Sequence, residues 1–321
     1  MENKISNRDR TFDFIKLYSM LMVITHHFMV CYLKYESIPL KIVNGKYGVQ
    51  LFAIVLGIFA FRNGKKNSED TLHYSLRRYA FFLICEFVIN SIYYFFNIDE
   101  SRLRMSFGFV IGQSVLLGDE IFPTIWFAKE FLVGSILSFL IGKKDFSKKD
   151  IAIIALGLGI IDEVFVAACV MGCLAEKLIN ENRAIVKKGW FQISCALIAL
   201  ILMIVLKKSS LTYFIFGICS MVMVTIVKNN ALICSFSNHK IISYLGKLTM
   251  PMLLIHPCLI ELVNTIGSSN SILLIIARYS LLLMLVIIAS IAIDLIIKYL
   301  MKLANLIIDM LFRKIKALNN D

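Results

Sequence analysis

The chain has 321 residues, of which 59% are apolar or aromatic and only 17% are charged. A soluble domain is typically about 45–50% apolar and about 25% charged, so this composition excludes a disordered chain or a disulfide scaffold and argues against a water-soluble enzyme. It indicates a polytopic membrane protein, and because the basic residues behind the net charge of +12 are scattered, they favour cytoplasmic loops over a nucleic-acid-binding surface.

The apolar stretches predict an all-α, polytopic membrane bundle of about ten transmembrane helices, since a span needs about 20 apolar residues, or fewer where the helix is short. A shorter apolar stretch, 105–118, is predicted to be interfacial or re-entrant. The fifth and sixth spans are separated only by Asp162 and Glu163, and joining them would invert the topology that follows. The predicted spans are residues 12–33, 46–63, 77–97, 121–141, 149–161, 163–180, 189–206, 210–227, 243–266 and 271–299.

The loops between these spans differ strongly in charge. With the N-terminus in the cytoplasm, 25 of the 34 Lys and Arg residues fall in cytoplasmic segments, 7 in outer loops and 2 within spans. The positive-inside rule therefore predicts that both termini are cytoplasmic. We expect a membrane domain over residues 1–300 and a basic amphipathic tail over 301–321, lying on the cytoplasmic leaflet. The abundance of Ile, Lys and Asn is typical of AT-rich bacterial genomes, so the expected location is a bacterial plasma membrane.

The first span carries three ionisable side chains, Asp13, Lys16 and His27. At about 100° per residue, Lys16 and His27 are offset by only about 20°, and Asp13 and His27 by about 40°, so the three share one helix face. Lys16 lies near the cytoplasmic surface and His27 about 16 Å further along the axis, in the outer half of the membrane. Ionisable groups within spans are candidates for function. The alternatives are a snorkelling anchor for Lys16 and a buried, hydrogen-bonded histidine for His27.

The fourth predicted span begins with a second polar group. Trp126, Lys129 and Glu130 fall in its outer half. Trp126 is either part of the site or an interfacial belt residue. Lys129 and Glu130 point about 100° apart, so at least one of them must face the protein interior.

The last two spans add His256 and Arg278, which are also predicted to lie in the outer half. Pro257 should free a backbone carbonyl in the preceding turn. Glu86, near the middle of the third span, is available to pair with one of the bases. We therefore expect a polar cavity at the depth of His27.

The first span resembles the start of the membrane acyltransferase-3 family, whose first helix contains approximately D-x-x-R-x(10)-H. Asp13, Lys16 and His27 stand at these spacings, with Lys in place of Arg. YGVQLFAIVLGIFAF is similar to the family's G-V-x-L-F-F-x-L-S-G-F segment and has Leu56 where Ser is usual. TIWFAKEF and LGKLTMPMLLIHP are similar to two later family segments. The first two spans also resemble the related TraX proteins, which N-acetylate conjugative pilins.

The resemblance implies an enzyme that moves an acyl group, commonly acetyl, from cytoplasmic acyl-CoA to a sugar hydroxyl of an extracytoplasmic or lipid-linked glycan. His27 would be the essential histidine, acting as a base or carrying the acyl group covalently, and Lys16 would meet the anionic part of the donor. Lys keeps the charge of Arg but loses its bidentate fork. The predicted catalytic residues are His27, Asp13 and Glu130. The predicted acceptor cavity contains Trp126, Lys129, His256, Arg278 and Glu86.

Other interpretations stay open at this point. A pilin or peptide N-acetyltransferase of the same superfamily is one alternative, and a transporter or flippase is another, although neither an inverted repeat nor a matching pair of broken helices is visible. An inactive relative that acts in assembly is a third. The eight cysteines form no CxxC pair and no zinc-like cluster with histidine, so no metal site is predicted. The expected partners are the lipid bilayer and the acceptor, without nucleic acid.

Overall fold

The computed structural model describes the chain in seven stretches, and the structural statements below concern these. They are residues 10–33, 37–66, 70–95, 128–181, 187–205, 209–266 and 271–318. Within them, every regular element is a helix and no strand occurs. The helices are α1 (Arg10–Val30), α2 (Ile38–Ile42), α3 (Gly45–Lys65), α4 (Thr71–Phe95), α5 (Ala128–Lys144), α6 (Lys148–Ile160), α7 (Val164–Asn180), α8 (Gly189–Val205), α9 (Ser210–Asn229), α10 (Ala231–Ser237), α11 (Lys240–Leu245), α12 (Thr249–Asn264) and α13 (Ile272–Leu318).

The helices follow the predicted spans closely, and the predicted break between the fifth and sixth spans is present. α6 ends at Ile160 and α7 begins at Val164. Between them Asp162 adopts a φ of 69°, in the left-handed region that Asp tolerates better than most residues. α6 begins with a capping box in which Ser147 and Asp150 bind each other's backbone N–H groups.

Four predicted features differ from the structure or lie outside it. The ninth, 243–266, is divided into α11 and α12 by a turn. α13 runs as one helix of 47 residues through the boundary expected at residue 300, and the division into domains there stays a prediction. The stretch 105–118 and the start of the fourth span lie outside the described residues.

The expected number of about ten spans is not confirmed. Three helical segments in the described stretches are long and apolar enough to cross a membrane: 39–65, 211–229 and 272–314. Several other helices are short, since α5, α7 and α8 have 17 residues each and α6 has 13. A full crossing takes about 20 apolar residues.

The chain divides into two compact units, each described here by itself. Unit 1 consists of Met1–Phe59 and Phe146–Thr249, and unit 2 consists of Ala60–Asp145 and Met250–Asp321. In unit 1, α7 is buried over most of its length. It packs against α3 so closely that backbone atoms of the two helices are in contact. A Cβ on Gly57 would lie under 3.0 Å from the Cys169 carbonyl oxygen, and one on Gly172 would lie equally close to the Ile54 carbonyl oxygen.

Side-chain contacts of unit 1 join residues that the charge count predicts to lie on the same side of the membrane. The pairs are Arg10–Asn238 and Lys148–Glu181 on the predicted cytoplasmic side, and His26–Val43 and Lys46–Tyr213 on the predicted outer side. The helix packing of this unit therefore agrees with the predicted topology.

Unit 2 has similar glycine contacts and a group of polar contacts between α4 and α13. Gly64 and Gly142 each lie against a backbone carbonyl of the facing helix, that of Phe139 and Phe61 respectively. α4 holds the distal part of α13 through Asp309. His73 Nε2 lies 2.8 Å and Arg77 Nη2 2.9 Å from Asp309 Oδ1.

Candidate active site

The first turns of α1 hold a buried carboxylate between two partners. Asp13 is 1% exposed. The Lys16 Nζ atom lies 2.9 Å from its Oδ1, and the Ser243 hydroxyl donates a hydrogen bond of 3.0 Å to its Oδ2. A buried charge is stable only when it is paired and hydrogen-bonded, and the two oxygens of Asp13 meet this condition with different partners.

The close approach of α11 to α1 depends on a glycine. A Cβ on Gly246, directly after α11, would lie under 3.0 Å from the backbone carbonyl oxygen of Asp13. Gly246 has a φ of −63°, a conformation that any residue adopts, so the position requires space and not conformational freedom. The glycine brings Ser243, one turn earlier, within reach of Asp13.

Further cations lie around the same end of α1. The Lys228 ammonium is 5.6 Å from the centre of the Phe12 ring, and Lys16 is 6.0 Å from that of Phe59. Both are cation–π distances. The Arg10 guanidinium donates to the Asn238 carbonyl oxygen at 2.8 Å. The arrangement is a basic environment suited to an anion.

His27 lies at the end of the shared face of α1, where its side chains change from buried to exposed. Met20 and Ile24 belong to this face at 100° per residue and are 2% and 1% exposed, whereas His27 is exposed. Its neighbour His26 is fixed differently, since its Nδ1 atom lies 2.7 Å from the Val43 carbonyl oxygen. Of the two histidines, His27 is therefore the more exposed, and its catalytic role stays a prediction.

The other predicted site residues belong to unit 2. Glu86 is fully buried in α4. Lys129 and Glu130 are half-buried in the first turn of α5. Trp126 lies outside the described residues. The structure thus places these candidates on different helices, and their assignment to an acceptor cavity stays a prediction.

His256 contacts the carbonyl group that Pro257 leaves without its usual partner. Pro257 has no N–H to give to Leu253, four residues earlier. The His256 Nδ1 atom lies 2.9 Å from the Leu253 carbonyl oxygen and 3.2 Å from that of Met252. The predicted freeing of a carbonyl by Pro257 is therefore accompanied by a compensating bond from the residue beside it.

Arg278, in the first turns of α13, binds a backbone carbonyl just beyond the end of α12. Its Nε and Nη2 atoms donate to the Ile266 carbonyl oxygen at 2.9 and 2.7 Å, and the residue is 4% exposed. A buried guanidinium bound to a carbonyl just beyond a helix C-terminus stabilises that end of the helix. This contact gives Arg278 a structural role beside its predicted place in the acceptor cavity.

Of the nine predicted site residues, the described contacts bring Asp13 and Lys16 together. Ser243 completes their cluster, although no sequence pattern pointed to it. Among the described residues, no three His, Cys, Asp or Glu side chains are grouped in a way that could hold a metal ion.

The sequence of the chain matches a known family. A family model described as an acyltransferase domain matches residues 9–295, which include every predicted site residue. The chain belongs to the acyltransferase-3 family. This membership supports a membrane acyltransferase activity and agrees with the apolar helices. Neither the comparison with curated proteins nor that with solved structures gives a match.

The matched range also contains two glycines with a packing role. It includes Gly57 and Gly246, which the structure places in contacts between helix backbones. These two glycines serve packing. The match ends at residue 295, whereas α13 continues to Leu318.

Proposed function

We propose that the protein transfers an acyl group, in the simplest case acetyl, from cytoplasmic acyl-CoA to a hydroxyl group of an extracytoplasmic or lipid-linked glycan at a bacterial plasma membrane. The observation that carries the proposal is the arrangement on one face of α1. A cation, Lys16, paired with a buried carboxylate lies near one end, and an exposed histidine, His27, lies near the other.

The spacing along α1 suits a long donor. Eleven residues separate Lys16 from His27, which corresponds to about 16 Å along a helix. This is comparable to the reach of a pantetheine arm. With an anionic group of the donor at Lys16, the thioester reaches the neighbourhood of His27.

The chemistry then needs a base at the acceptor. The His27 imidazole takes the proton of the acceptor hydroxyl while the hydroxyl oxygen attacks the thioester carbonyl carbon. The carbon–sulfur bond breaks, the acyl group stays on the acceptor, and CoA leaves as a thiolate that is then protonated. In the covalent variant, the imidazole nitrogen first attacks the thioester carbonyl carbon and displaces CoA as a thiolate. The acyl-imidazole then passes the acyl group to the acceptor hydroxyl, whose proton is released as the imidazole is regenerated. Glu130 in unit 2 stays a predicted acid or base.

The test uses inverted membrane vesicles, which expose the cytoplasmic face, from bacteria with and without the protein. They are given CoA carrying a radiolabelled acetyl group. We expect protein-dependent loss of the thioester and label in the glycan or lipid-linked sugar fraction, as an ester cleaved by hydroxylamine.

The other outcomes separate the alternatives. Label in protein as a hydroxylamine-resistant amide would favour peptide N-acetylation. Intact labelled donor inside the vesicles would favour a transporter. If the thioester is not consumed and no label is transferred in vesicles that contain the folded protein, the proposal is wrong.

A further inference from the structure

We propose that Ser243 is a positioning residue of this site, which acts through Asp13 to direct the Lys16 ammonium toward the anionic part of the donor. This inference rests on the proposed function for its ligand and on the structure for its geometry. The contacts that carry it, between Ser243, Asp13 and Lys16, all lie within unit 1.

The lysine needs such a partner more than an arginine would. An ammonium group sits on a flexible four-carbon stem and lacks the planar fork of a guanidinium. Its direction therefore depends on what it binds. In the structure the Lys16 Nζ atom lies 2.9 Å from Asp13 Oδ1, so a change in the orientation of the carboxylate should move the ammonium.

The carboxylate in turn is oriented by Ser243. Asp13 Oδ2 accepts the Ser243 hydroxyl at 3.0 Å, and this second bond restricts rotation of the carboxylate about its Cβ–Cγ bond. Without it, both oxygens can turn to the ammonium and draw it toward the backbone of α1. Ser243 has no proposed contact with the donor or with the reacting atoms.

The position of α11 preserves this arrangement. Ser243 is 7% exposed and Gly246 packs on the Asp13 backbone, so the hydroxyl is delivered by a helix in direct contact with α1. Ser237, in the neighbouring α10, provides a contrast. Its buried hydroxyl binds the Cys234 carbonyl oxygen at 2.8 Å and the Thr11 hydroxyl at 3.4 Å.

The first measurement is the binding of a non-hydrolysable thioether analogue of acetyl-CoA to the purified full chain. We expect Ser243→Ala to raise the Kd about tenfold, as the loss of a hydrogen bond to a charged group does. Ser243→Thr, which keeps a hydroxyl, should restore most of the affinity. The matched control Ser237→Ala removes an equally buried hydroxyl and should leave the Kd within twofold of the wild type.

A double-mutant cycle tests whether Ser243 acts through Asp13. In an Asp13→Asn background, Ser243→Ala should change the Kd by less than twofold, because interacting residues are not additive. A full tenfold effect in that background would overturn the inference. An unchanged Kd for Ser243→Ala in the wild-type background would overturn it as well.

A second readout separates this inference from the proposed function. Lysines are dimethylated with ¹³C, and the Lys16 signal is identified by its loss in Lys16→Arg. Ser243→Ala should shift this signal and Ser237→Ala should not. If the wild type does not bind the analogue, the donor role is wrong, and a shifted Lys16 signal would still support positioning by Ser243. If the signal does not shift, the positioning itself is wrong.

Discussion

The two ends of α1 carry the same kind of sequence signal but are constructed differently. At the Lys16 end, a buried carboxylate with two partners holds the cation. At the His27 end, the imidazole is exposed at the place where a buried face opens. A fixed cation suits the part of a substrate that never changes, whereas an exposed base leaves room for acceptors of different shape. Under the proposed function, this difference predicts that donor binding and chemistry can be separated along this helix.

The largest expected effect follows the loss of the base. His27→Ala should lower kcat by about 10²- to 10⁴-fold, the usual contribution of a general base, and leave the Kd for the thioether analogue within twofold. Turnover in inverted vesicles and binding to the purified protein measure the two quantities. His239→Ala, an exposed histidine before α11, is the control and should keep full activity. Wild-type kcat in well-folded His27→Ala would contradict the proposed mechanism.

A smaller effect is expected at Lys16, where the Kd of the donor analogue should change more than kcat. Removing the charge alone would leave Asp13 as an unpaired buried ion, which costs about 3–5 kcal/mol. Lys16→Met is therefore combined with Asp13→Asn. The pair should raise the Kd for the analogue about 10- to 100-fold. If Asp13 acts by holding Lys16, as its contacts with Lys16 and Ser243 favour, kcat at saturating donor should change by less than threefold, whereas a catalytic role for Asp13 predicts a large loss of kcat. Titration of donor in the vesicle assay gives both values.

Lys16→Arg serves as the matched variant, since it keeps the charge and should keep most of the affinity. A loss of kcat with an unchanged Kd in the Lys16→Met, Asp13→Asn variant would contradict the assignment of donor binding to the Lys16 end of α1 and of catalysis to the His27 end.

The smallest effect concerns the packing that holds the Lys16 end. Gly246→Ala forces a Cβ against the Asp13 carbonyl group and should destabilise the protein by about 1–3 kcal/mol. Gly157→Ala is the control, because Gly157 lies within α6 with no atom near its missing Cβ. That change should stabilise by about 0.5–1 kcal/mol. The two substitutions should therefore shift the midpoint of thermal unfolding in detergent in opposite directions, and equal shifts would contradict the assigned contact.

Much of the helical layout could be predicted from the sequence, because apolar runs and charged breaks are local signals. Asp162 and Glu163 marked the break between α6 and α7 correctly. The turn after α11 was not predicted, because Gly246 and Lys247 fall inside the stretch 243–266 that was assigned to a single span. The number of spans stays open for a physical reason, since helices of 13–17 residues are too short to settle a crossing by length.

The candidate site was predictable only where its residues share one helix. The ion pair of Asp13 and Lys16 follows from their three-residue spacing. Ser243 lies 230 residues away from Asp13, and a lone serine in a short helix carries no pattern that could reveal the contact. The contact of Arg278 with the Ile266 carbonyl oxygen was likewise hidden, since the sequence shows charge but not where that charge binds. For His256, Pro257 indicated a freed carbonyl group but not that the neighbouring histidine would bind it.

The bond from His256 to Leu253 has a consequence for the protonation of the ring. A carbonyl oxygen only accepts, so the 2.9 Å contact requires the proton on Nδ1. In the neutral imidazole the Nε2 atom then carries a lone pair. Any group that meets Nε2 must therefore offer a hydrogen, as an alcohol does, and a bare carbonyl or carboxylate is disfavoured there. Pro257, which creates the need for a donor at Leu253, thus selects the tautomer of the histidine beside it.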